Sequence, residues 1–419
     1  MAPEQHGQPM SVDTTNHVVV AGTGPVGLIS ALAFAEAGFG VVLAGPSARA
    51  DDGRTTALMV PALKFLAKLG VLDSLEPEAA PLKVMRIIDG TSRLIRSPIV
   101  TFRAGEIGED HFGLNFQNRV FNAVLEKAVE AHAGIEWRRA MVDSWTLEPN
   151  KVNAALSDGT SVEAPLAVAA DGRNSPARQA AGISASVRSL PQAALVLNFA
   201  HSRDHAFTST EFHTETGPFT QVPLPGRRSS LVWVLRPEMA KDFASLDDAA
   251  LSLRVEQQMQ SMLGRVTVEG GRQIYPLSTL LPQRFAQNRV ALVGEAAHVF
   301  PPIGAQGLNL GIRDVDQLVE IASKYRDDDT GAVLALAAYD SARRPDILAR
   351  TSAVNLLNTS LLSDMLPAQL ARSAGLNVLG GFSPLRAFFM REGLRPGSGF
   401  SSIASGLRSP RSQRDASTD

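Results

Sequence analysis

One segment of the chain, residues 290–314, combines residue types and spacing that could do chemistry. Its pattern predicts a buried strand over 290–293, a Gly-Glu turn, a loop rich in proline and glycine, and a helix that begins near Gly307 or Leu308. The first turn of a helix carries N–H groups without intrahelical partners and a partial positive charge. A loop that presents such a helix end therefore predicts a binding site for an anion or an electron-rich carbonyl.

A glycine-rich turn near the N-terminus makes the expected ligand more specific. The apolar stretch His17 to Ala21 is followed by Gly22, Gly24 and Gly27 in a GxGxxG pattern, then by a helical stretch predicted over 28–37 and a second strand over 40–44. In such a βαβ unit the first glycine permits a tight turn, the second lets the backbone approach a pyrophosphate, and the third lets helix and strand pack closely. The segment therefore predicts a dinucleotide-binding turn.

The acidic residue that is expected about 20 positions further on, where it would bind a ribose hydroxyl, is missing. The second strand ends at Ala44, Gly45 and Pro46 follow it, and the nearest carboxylates are Asp51 and Asp52. These two aspartates are the available substitutes. We therefore expect the pyrophosphate site to be retained and the ribose contact to differ.

A third segment places a polar dipeptide directly after an apolar strand. The stretch 166–170 is apolar, and it is followed by Asp171 and Gly172 and by a helix that Asn174 or Ser175 could cap. Taken alone, an Asp-Gly dipeptide indicates a simple turn. In all three segments, however, an apolar strand is followed by a turn that contains glycine and then by a helix.

The three segments together resemble the class A flavoprotein monooxygenases, which share the p-hydroxybenzoate hydroxylase fold. The resemblance implies an α/β fold in which a Rossmann-like FAD-binding domain is interleaved with a mixed-sheet substrate domain and followed by C-terminal helices. It also implies FAD as the cofactor and NAD(P)H as the co-substrate. The cofactor-binding residues that it implies by motif are Gly22, Gly24, Pro25, Gly27, Asp171, Gly172, Gly294, Glu295, Pro302, Gly304, Gln306, Gly307, Leu308 and Asn309. Glu295 stands where the family usually has aspartate.

Further segments resemble the ubiquinone-biosynthesis hydroxylase branch of this family. The run Arg54-Thr55-Thr56-Ala57-Leu58 is similar to the RTxAL segment of the branch, and Asn118-Arg119-Val120 is similar to its NRxxL element. Residues 302–314 and 384–391 are similar to its glycine-rich run and its terminal helix. The resemblance therefore adds Arg54, Thr55 and Arg119 to the expected cofactor-binding residues.

The resemblance implies a hydroxylation reaction. NAD(P)H would reduce FAD, O₂ would add to the flavin as a C4a-hydroperoxide, and one oxygen atom would pass to an aromatic ring, while the protein orients the reactants and excludes water. The substrates of the branch are polyprenylated phenols, so such a phenol in ubiquinone biosynthesis is expected. Two alternatives stay open: a soluble aromatic hydroxylase of catabolism or secondary metabolism, and a flavin-dependent reductase of prenyl double bonds.

The sequence assigns no catalytic residue. His213, Tyr275 and Arg236 are candidates for the base that would deprotonate a phenol, by residue type only. His298 is expected to be a hydrogen-bonded structural histidine, and no metal is expected because the flavin chemistry that the resemblance implies needs no metal. The ring position, the tail length, the choice between NADH and NADPH and the oligomeric state stay open.

Composition limits the function classes further. The chain has no cysteine, which excludes structural disulfides, thiolate metal sites and the dithiol chemistry of flavin disulfide reductases. A formal charge of −2 and the lack of a basic run argue against nucleic acid as a partner. The polar start of the chain shows no secretory pattern, so a cytoplasmic protein is expected.

The C-terminal region bears on the hydrophobic aromatic substrate. Apolar residues such as Leu385 and Phe388 are interleaved with Arg372, Arg386 and Arg391, a combination that could lie at a membrane surface. The alternative is a terminal helix packed on the body with its arginines in solvent. The expected location is therefore the cytoplasm, with peripheral attachment at the inner membrane and contact with other quinone-biosynthesis proteins as further options.

The expected domain organisation is interleaved. The FAD-binding domain is predicted over 15–75, 105–183 and 274–330, the substrate domain over 76–104 and 184–273, and a helical region over 331–400. Residues 1–14 and 401–419 are polar and are predicted to be disordered tails.

Overall fold

The computed structural model describes residues 17–47, 52–91, 97–302 and 306–362, without the side chains of 306 and 352–362. Several expectations from the sequence concern positions outside this part of the chain. They are both predicted tails, Asp51, Gly304, the side chain of Gln306 and the C-terminal segment after residue 362.

The described chain begins with a βαβ unit, continues through a strand-rich middle and ends in two long helices. The helices are α1 (Pro25–Glu36), α2 (Val60–Lys68), α3 (Leu72–Leu75), α4 (Asn118–Ala131), α5 (Pro176–Ala180), α6 (Pro237–Ser245), α7 (Asp248–Gln258), α8 (Gln306–Lys324) and α9 (Val333–Leu362). The strands are β1 (His17–Ala21), β2 (Gly40–Ala44), β3 (Thr55–Met59), β4 (Ala80–Pro81), β5 (Val84–Asp89), β6 (Val100–Arg103), β7 (Gly113–Gln117), β8 (Ile135–Arg138), β9 (Val142–Leu147), β10 (Val152–Leu156), β11 (Ser161–Ala164), β12 (Leu166–Ala169), β13 (Ala185–His201), β14 (Thr208–Thr214), β15 (Gly217–Leu224), β16 (Arg228–Leu235), β17 (Val266–Val268), β18 (Gln273–Pro282), β19 (Ala286–Gln287) and β20 (Val290–Leu292). Short 3-10 turns occupy Glu76–Glu78, Ala104–Ile107 and Gly294–Ala296.

The first sheet has six strands in the order β19-β20-β12-β1-β2-β8, with β19 antiparallel to β20 and the other pairings parallel. Its central strand β1 is buried on both faces, which is why Val18–Val20 form a continuous apolar run. From β1 the chain moves to β2 and β8 on one side and later to β12 and β20 on the other. The strand order therefore reverses between β1 and β12, and in open sheets ligands bind at the carboxyl ends of the strands beside such a reversal.

A second sheet, which we call the roof, has eight strands in the order β17-β13-β16-β15-β14-β5-β6, with β18 also paired to β13. Alternate residues on one face of the roof pack against α6 and α7 in a buried apolar core. The opposite face meets the segment around β3. There the Asn198 amide donates to the carbonyl of Gly53 at 2.8 Å, and the Thr55 hydroxyl donates to Ser230 Oγ at 2.8 Å. We call this second face the lower face of the roof.

Two three-stranded sheets and the two long helices complete the described chain. One small sheet has the order β11-β10-β9 and the other β3-β7-β4. Helix α8 packs on α1, and α9 packs on α8 and against β20. Among the described ranges, none of the helices combines the length and the apolar character that a bilayer crossing requires.

The architecture confirms the predicted α/β fold with a Rossmann-like sheet and a mixed sheet. Helix α1 begins at Pro25 rather than at the predicted Leu28, because proline is well tolerated in the first turn, where its missing N–H has no helical partner to lose. The predicted helical region after 331 is present as α9 up to Leu362. The division into domains at the stated residue boundaries stays a prediction.

Candidate cofactor site

The three polar turns predicted from the sequence meet at the carboxyl end of the six-stranded sheet. Gly22 comes after β1, Asp171 after β12 and Gly294 after β20, and these three strands lie side by side. The backbone joins the first two turns, since the Ala170 N–H donates to the carbonyl of Ala21 at 2.9 Å. The turns therefore surround the point at which the strand order reverses.

The glycines of the site have two different roles. Gly22 has a φ of +104°, and a Cβ atom there would lie 2.3 Å from the carbonyl oxygen of Ala170. A Cβ atom on Gly27 would lie 1.9 Å from the carbonyl oxygen of Gly22, so close packing requires both glycines. A Cβ atom on Gly24 or Gly307, in contrast, would meet no neighbouring group of the described chain within 4 Å. These two backbones face open space at the N-termini of α1 and α8, where a pyrophosphate or another anionic group could approach.

The structure explains why no carboxylate stands at the end of β2. Gly45 has a φ of +148°, and a Cβ atom there would lie 2.8 Å from Thr23 Oγ1. The Thr23 hydroxyl donates to the carbonyl of Pro46, and the Trp137 indole N–H donates to the carbonyl of Gly45 at 2.9 Å. An acidic side chain at position 45 would have to displace Thr23. A ribose in this region therefore needs a different partner.

Asp52, one of the predicted substitutes, is paired with Arg54. Asp52 Oδ1 accepts from Arg54 Nε at 2.8 Å, and Oδ2 accepts from Arg54 Nη2 at 2.7 Å and from Asn118 Nδ2 at 3.2 Å. Burial alone would raise the pKa of Asp52, but the hydrogen bonds and charge of Arg54 outweigh it and lower this pKa below its ordinary value. The two side chains therefore form an ion pair at neutral pH, which holds Arg54 in one orientation.

A cleft of about 360 Å³ lies between the glycine turn and the roof. The residues that line it are Thr23, Gly24, Pro25, Pro46, Ser47, Asp52, Arg54, Asn118, Asn122, Gln273 and Tyr275. The Arg54 guanidinium lies over the Tyr275 ring, with 5.5 Å between its central carbon and the ring centroid. The cleft therefore brings the glycine turn and the segment around Arg54 together beneath an aromatic residue of the roof.

Two other residues predicted to bind the cofactor lie beside the cleft rather than in its lining. Thr55 uses its hydroxyl for the contact with Ser230 on the roof. Arg119 stands in the first turn of α4, is exposed, and donates from Nε to Gln117 Oε1 at 2.9 Å. Its guanidinium could reach a ligand only by giving up or sharing that contact. Direct contact of either side chain with a cofactor stays a prediction.

Asp171 keeps one carboxylate oxygen without a partner. Its Oδ2 accepts from the Ala177 N–H at 3.0 Å, whereas Oδ1 is buried and has no hydrogen-bond partner within the described residues. Burial raises the pKa of Asp171. Buried polar atoms are almost always hydrogen bonded in folded proteins, so this oxygen fits a donor group on a bound ligand. Gly172 follows with a φ of +82°, a conformation that favours glycine.

Arg178 links the second and third turns, a role that the sequence did not indicate. Its Nη1 donates to the carbonyl of Ala296 at 2.9 Å, and its Nη2 donates to the carbonyl of Arg173 at 2.8 Å. Glu295, which neighbours Ala296, has an exposed side chain with Oε2 3.6 Å from Arg173 Nε. The role of Arg178 could not be predicted from the sequence because its partners are backbone carbonyls. One of them, that of Ala296, belongs to a turn more than 100 residues further along the chain.

Asp314 fixes the turn after β20. Its Oδ2 accepts from the Gly294 N–H at 3.0 Å and from His298 Nε2 at 2.7 Å, and its Oδ1 accepts from Arg343 Nε at 2.8 Å. Asp314, His298 and Arg343 are all buried. His298 is therefore a buried, hydrogen-bonded histidine, as expected from the sequence.

The start of α8 is tied to β3 by Asn309. Its Nδ2 donates to the carbonyl of Ala57 at 2.8 Å, and its Oδ1 accepts from the Met59 N–H at 2.8 Å. Because these contacts use the side-chain amide, a ligand at this helix end would be bound by backbone N–H groups. Gly307 is exposed there and Leu308 is half-buried, so the backbone of the first turn is accessible.

The three candidate bases lie in different surroundings. Tyr275 lines the cleft, whereas Arg236 is exposed at the start of α6. His213 is buried on β14, with Nε2 2.9 Å from Glu211 Oε1. The strand registers place Tyr275, Glu211 and His213 on the same lower face of the roof as Ser230. Glu211 was not predicted from the sequence, because a pairing of residues two apart on one strand face becomes visible only once the strand is known.

Comparisons with known proteins cover most of the chain. The family model for the FAD binding domain matches residues 15–351. The chain belongs to this family. Ubiquinone hydroxylase UbiL of Rhodospirillum rubrum is 33% identical over 393 residues, which cover 92% of this chain and 90% of that protein. The 3-demethoxyubiquinol 3-hydroxylase of Escherichia coli is 27% identical over 371 residues, which cover 86% of this chain and 93% of that protein.

The fold is also similar to that of solved flavoprotein monooxygenase structures. The crystal structure of p-nitrophenol 4-monooxygenase PnpA from Pseudomonas putida DLL-E4 superposes with a TM-score of 0.71 at 22% identity, over 90% of this chain and 96% of that chain. The predicted resemblance to class A flavoprotein monooxygenases and to their ubiquinone-biosynthesis branch is confirmed. The protein is therefore an FAD-dependent monooxygenase that uses NAD(P)H and O₂.

The described residues fit FAD on three independent observations. The backbone at Gly24 and at Gly307 has no neighbouring group on its open side, so a ligand can approach two helix N-termini. The buried Oδ1 of Asp171 has no hydrogen-bond donor among the described residues, so a ligand could supply one. The cleft beside Arg54 continues from the glycine turn to the roof. The contacts of individual side chains with FAD stay predictions.

Proposed function

We propose that this FAD-dependent monooxygenase hydroxylates the ring of a polyprenylated phenol in ubiquinone biosynthesis. The observation that carries the proposal is the apolar character of the lower face of the roof beside the cleft. Val196 and Val232 are half-buried there and pack against the buried side chains of Ala194, Val234 and Leu277. Such a surface favours a hydrophobic aromatic ring over a small charged acid. The names of the similar proteins, a ubiquinone hydroxylase and a demethoxyubiquinol hydroxylase, support the same substrate class.

The proposed cofactor arrangement follows from the three turns. The backbone of Gly22–Gly27 at the N-terminus of α1 would hold the pyrophosphate of FAD, and the start of α8 would hold the flavin. Asp171 would accept a hydrogen bond from a hydroxyl group of the cofactor. The N–H groups in the first turn of α8 would stabilise negative charge on the flavin ring. Bound FAD supplies the redox chemistry with NAD(P)H and O₂, while the chain binds, orients and excludes water.

The proposed position of the substrate is beneath the roof. Its ring lies against the half-buried Val196 and Val232, and its hydroxyl group faces polar side chains of the same sheet face. Those side chains are Tyr275, which lines the cleft, and the pair formed by Glu211 and His213. A carboxylate hydrogen-bonded to a buried histidine is a suitable acceptor for a phenol proton.

We propose further that the protein works in the cytoplasm at the surface of the inner membrane. A polyprenyl tail dissolves in lipid, so the enzyme must take its substrate from a bilayer. Residues 372–395, which lie outside the described part of the chain, interleave apolar side chains with arginines. Contact with other quinone-biosynthesis proteins at that surface belongs to the same proposal.

The test is NAD(P)H oxidation by the FAD-loaded protein with and without a 2-polyprenylphenol in detergent, with the product mass recorded. Substrate-stimulated oxidation and a gain of one oxygen atom are the expected results. A gain of oxygen only with water-soluble phenols would instead assign a soluble aromatic hydroxylase. A gain of two hydrogen atoms under anaerobic conditions would assign a prenyl reductase and contradict the proposal.

A further inference from the structure

A buried arginine on α9 reaches the cofactor site through an aspartate of α8. Arg343 is 1% exposed and Asp314 is 0% exposed. Arg343 Nε donates to Asp314 Oδ1 at 2.8 Å, and Arg343 Nη2 lies 2.7 Å from the same oxygen. The other oxygen of Asp314 receives the Gly294 N–H and His298 Nε2. One carboxylate therefore joins the last long helix to the turn after β20.

The turn that Asp314 fixes is packed directly on the glycine turn. A Cβ atom on Gly311 would lie 2.7 Å from Val26 Cγ2 and 3.3 Å from the Cα of Gly294, and one on Gly294 would lie 3.0 Å from Val26 Cγ2. Val26 belongs to the GxGxxG segment, and Gly311 precedes Asp314 by about one turn of α8. Because Gly294, Gly311 and Val26 are in close contact, a displacement of the Gly294 turn would also displace the glycine turn or the start of α8.

Helix α9 contacts this region at several points besides Asp314. Tyr339, one turn before Arg343, donates its hydroxyl to the carbonyl of Leu292 at the end of β20 at 2.8 Å. Arg343 Nη1 donates to Gln317 Oε1 on α8 at 3.1 Å. A buried carboxylate that loses its cationic partner is strongly destabilised. Arg343 is therefore the cationic partner of the buried Asp314, which in turn makes the two hydrogen bonds that orient Gly294 and His298.

We propose that Arg343 is a positioning residue for FAD, acting through Asp314 on the turn after β20. The proposal rests on the placement of FAD on the three turns and extends it to a helix that lies outside the cleft. It predicts that the FAD affinity depends on a side chain that none of the three cofactor segments contains. The size of the effect should resemble that of outer groups that orient ligands of a bound ion, roughly 10- to 100-fold in affinity.

The test compares FAD binding by apoprotein variants of the full chain. The variants are Arg343→Gln, Arg343→Lys, Gly24→Val and, as a matched control on α9, Arg350→Gln, whose arginine pairs with Asp346 at 2.9 Å. The measurements are the dissociation constant from quenching of flavin fluorescence and the visible circular dichroism of the bound flavin. Far-UV circular dichroism of each apoprotein establishes that it is folded.

We expect Arg343→Gln to weaken FAD binding roughly 10- to 100-fold. Arg343→Lys should give a smaller loss, because lysine keeps the charge but lacks the planar fork of donors. Arg350→Gln should bind FAD like the wild type. A purely structural role would lower the unfolding temperature of the Arg343 variants but leave the dissociation constant and the flavin spectrum unchanged wherever the apoprotein is folded.

The variants distinguish a failure of the positioning role of Arg343 from a failure of the placement of FAD on the glycine turn. If Gly24→Val binds FAD as tightly as the wild type, the placement of FAD on the glycine turn is wrong. If Gly24→Val loses FAD while the folded Arg343 variants bind it normally, the positioning role of Arg343 is overturned. Should Arg343→Gln fail to fold, Arg343→Lys decides the question, since an unchanged dissociation constant in that variant overturns the role equally.

Discussion

At the scale of single residues, Gly307 offers a test of where the flavin lies. Its Cβ position is open, so a valine there would disturb no neighbouring group of the described chain. We expect Gly307→Val to fold normally and to lose FAD affinity by about 100-fold, because the branched side chain shields an oriented N–H donor whose loss costs on the order of 3 kcal/mol. Equilibrium titration of the apoprotein with FAD measures this loss.

A matched control for that substitution is Gly105→Val. Gly105 also has an open Cβ position, but it lies in the short 3-10 turn Ala104–Ile107, away from the three turns. We expect its FAD affinity to equal that of the wild type. Full FAD occupancy in purified Gly307→Val would show that the flavin does not approach the start of α8.

A second prediction at this scale concerns Glu211. If the Glu211–His213 pair accepts the phenol proton, Glu211→Gln should lower the turnover of a prenylated phenol roughly 100-fold, within the range for a general base, without changing FAD affinity. Thr220→Val is the control, because it removes one 3.3 Å contact to Glu211 but keeps the carboxylate. Product formation by stopped reaction and mass spectrometry is the measurement. An unchanged turnover number in Glu211→Gln would exclude the pair.

Residues of the site differ in how far the sequence could predict them. The glycines of the GxGxxG turn were predictable, because the backbone conformation and close packing at Gly22 and Gly27 permit no other residue type. Arg178 and Asn309 were not assigned their present roles. Both bind backbone groups of other segments, and the sequence does not state which segments are neighbours. The position of Asp52 was not predictable either, because its second partner, Asn118, lies on a distant helix.

At the scale of elements, the contact between α8 and α9 depends on a shared carboxylate. Asp346 on α9 receives Arg313 Nη1 and Arg343 Nη1 at 3.0 Å each and Arg350 Nε at 2.9 Å. Burial opposes the charge of Asp346, but the three arginines outweigh it and lower its pKa from 3.8 to about 2. The contact therefore includes a carboxylate that ionises more readily in the folded state than in the unfolded chain.

The depressed pKa of Asp346 predicts a pH-dependent stability. A carboxyl whose pKa falls on folding stabilises the protein fully above its unfolded pKa, and this contribution is lost as pH falls through the folded value. A shift of this size corresponds to about 2 kcal/mol. We expect Asp346→Asn to be destabilised by about that amount at pH 7 and the difference from the wild type to shrink between about pH 4 and pH 2.

Thermal unfolding midpoints between about pH 7 and pH 2 measure this effect. Glu320→Gln is the control on the neighbouring helix, because its pair with Lys324 at 2.7 Å is mostly exposed and such pairs contribute about 0–1 kcal/mol. A stability difference between Asp346→Asn and the wild type that stays constant over the whole pH range would contradict the assignment.

Strands with a local apolar pattern were predictable, whereas strand segments that are extended only through long-range pairing were not. The bounds of β1 and β2 were predicted correctly, because both are fully apolar runs bounded by glycine or by polar residues. In strand β13 the apolar pattern typical of a strand covers only residues 194–199, although the strand begins at Ala185. Its first half is mostly exposed and polar, and it is extended because it pairs with β18 over Ala185–Ser189. That pairing is a long-range contact and leaves no local periodicity.

At the scale of the whole molecule, the strand order explains why distant segments form one site. The first sheet is assembled from strands before residue 45, near 135, near 166 and near 290, and the turns after three of them surround the reversal of strand order. The intervening segments build the roof, which covers the same edge through Asn198 and Ser230. The sequence predicted this interleaving, but the lower face of the roof and its polar pair needed the strand registers.

A prediction at the scale of the whole molecule concerns the proposed attachment to a membrane surface. If the C-terminal arginines bind an anionic bilayer surface, the full chain carrying Arg386→Gln and Arg391→Gln should bind anionic vesicles about 30-fold more weakly, since each arginine near such a surface contributes about 1 kcal/mol. The matched control is the double variant with lysine at both positions, which keeps the charge and should bind like the wild type. Co-sedimentation with vesicles of anionic or neutral lipid, at low and high salt, measures the binding. Because FAD affinity and turnover of a detergent-dispersed phenol should stay unchanged, equal sedimentation of the glutamine variant would show that these arginines do not attach the enzyme to the membrane.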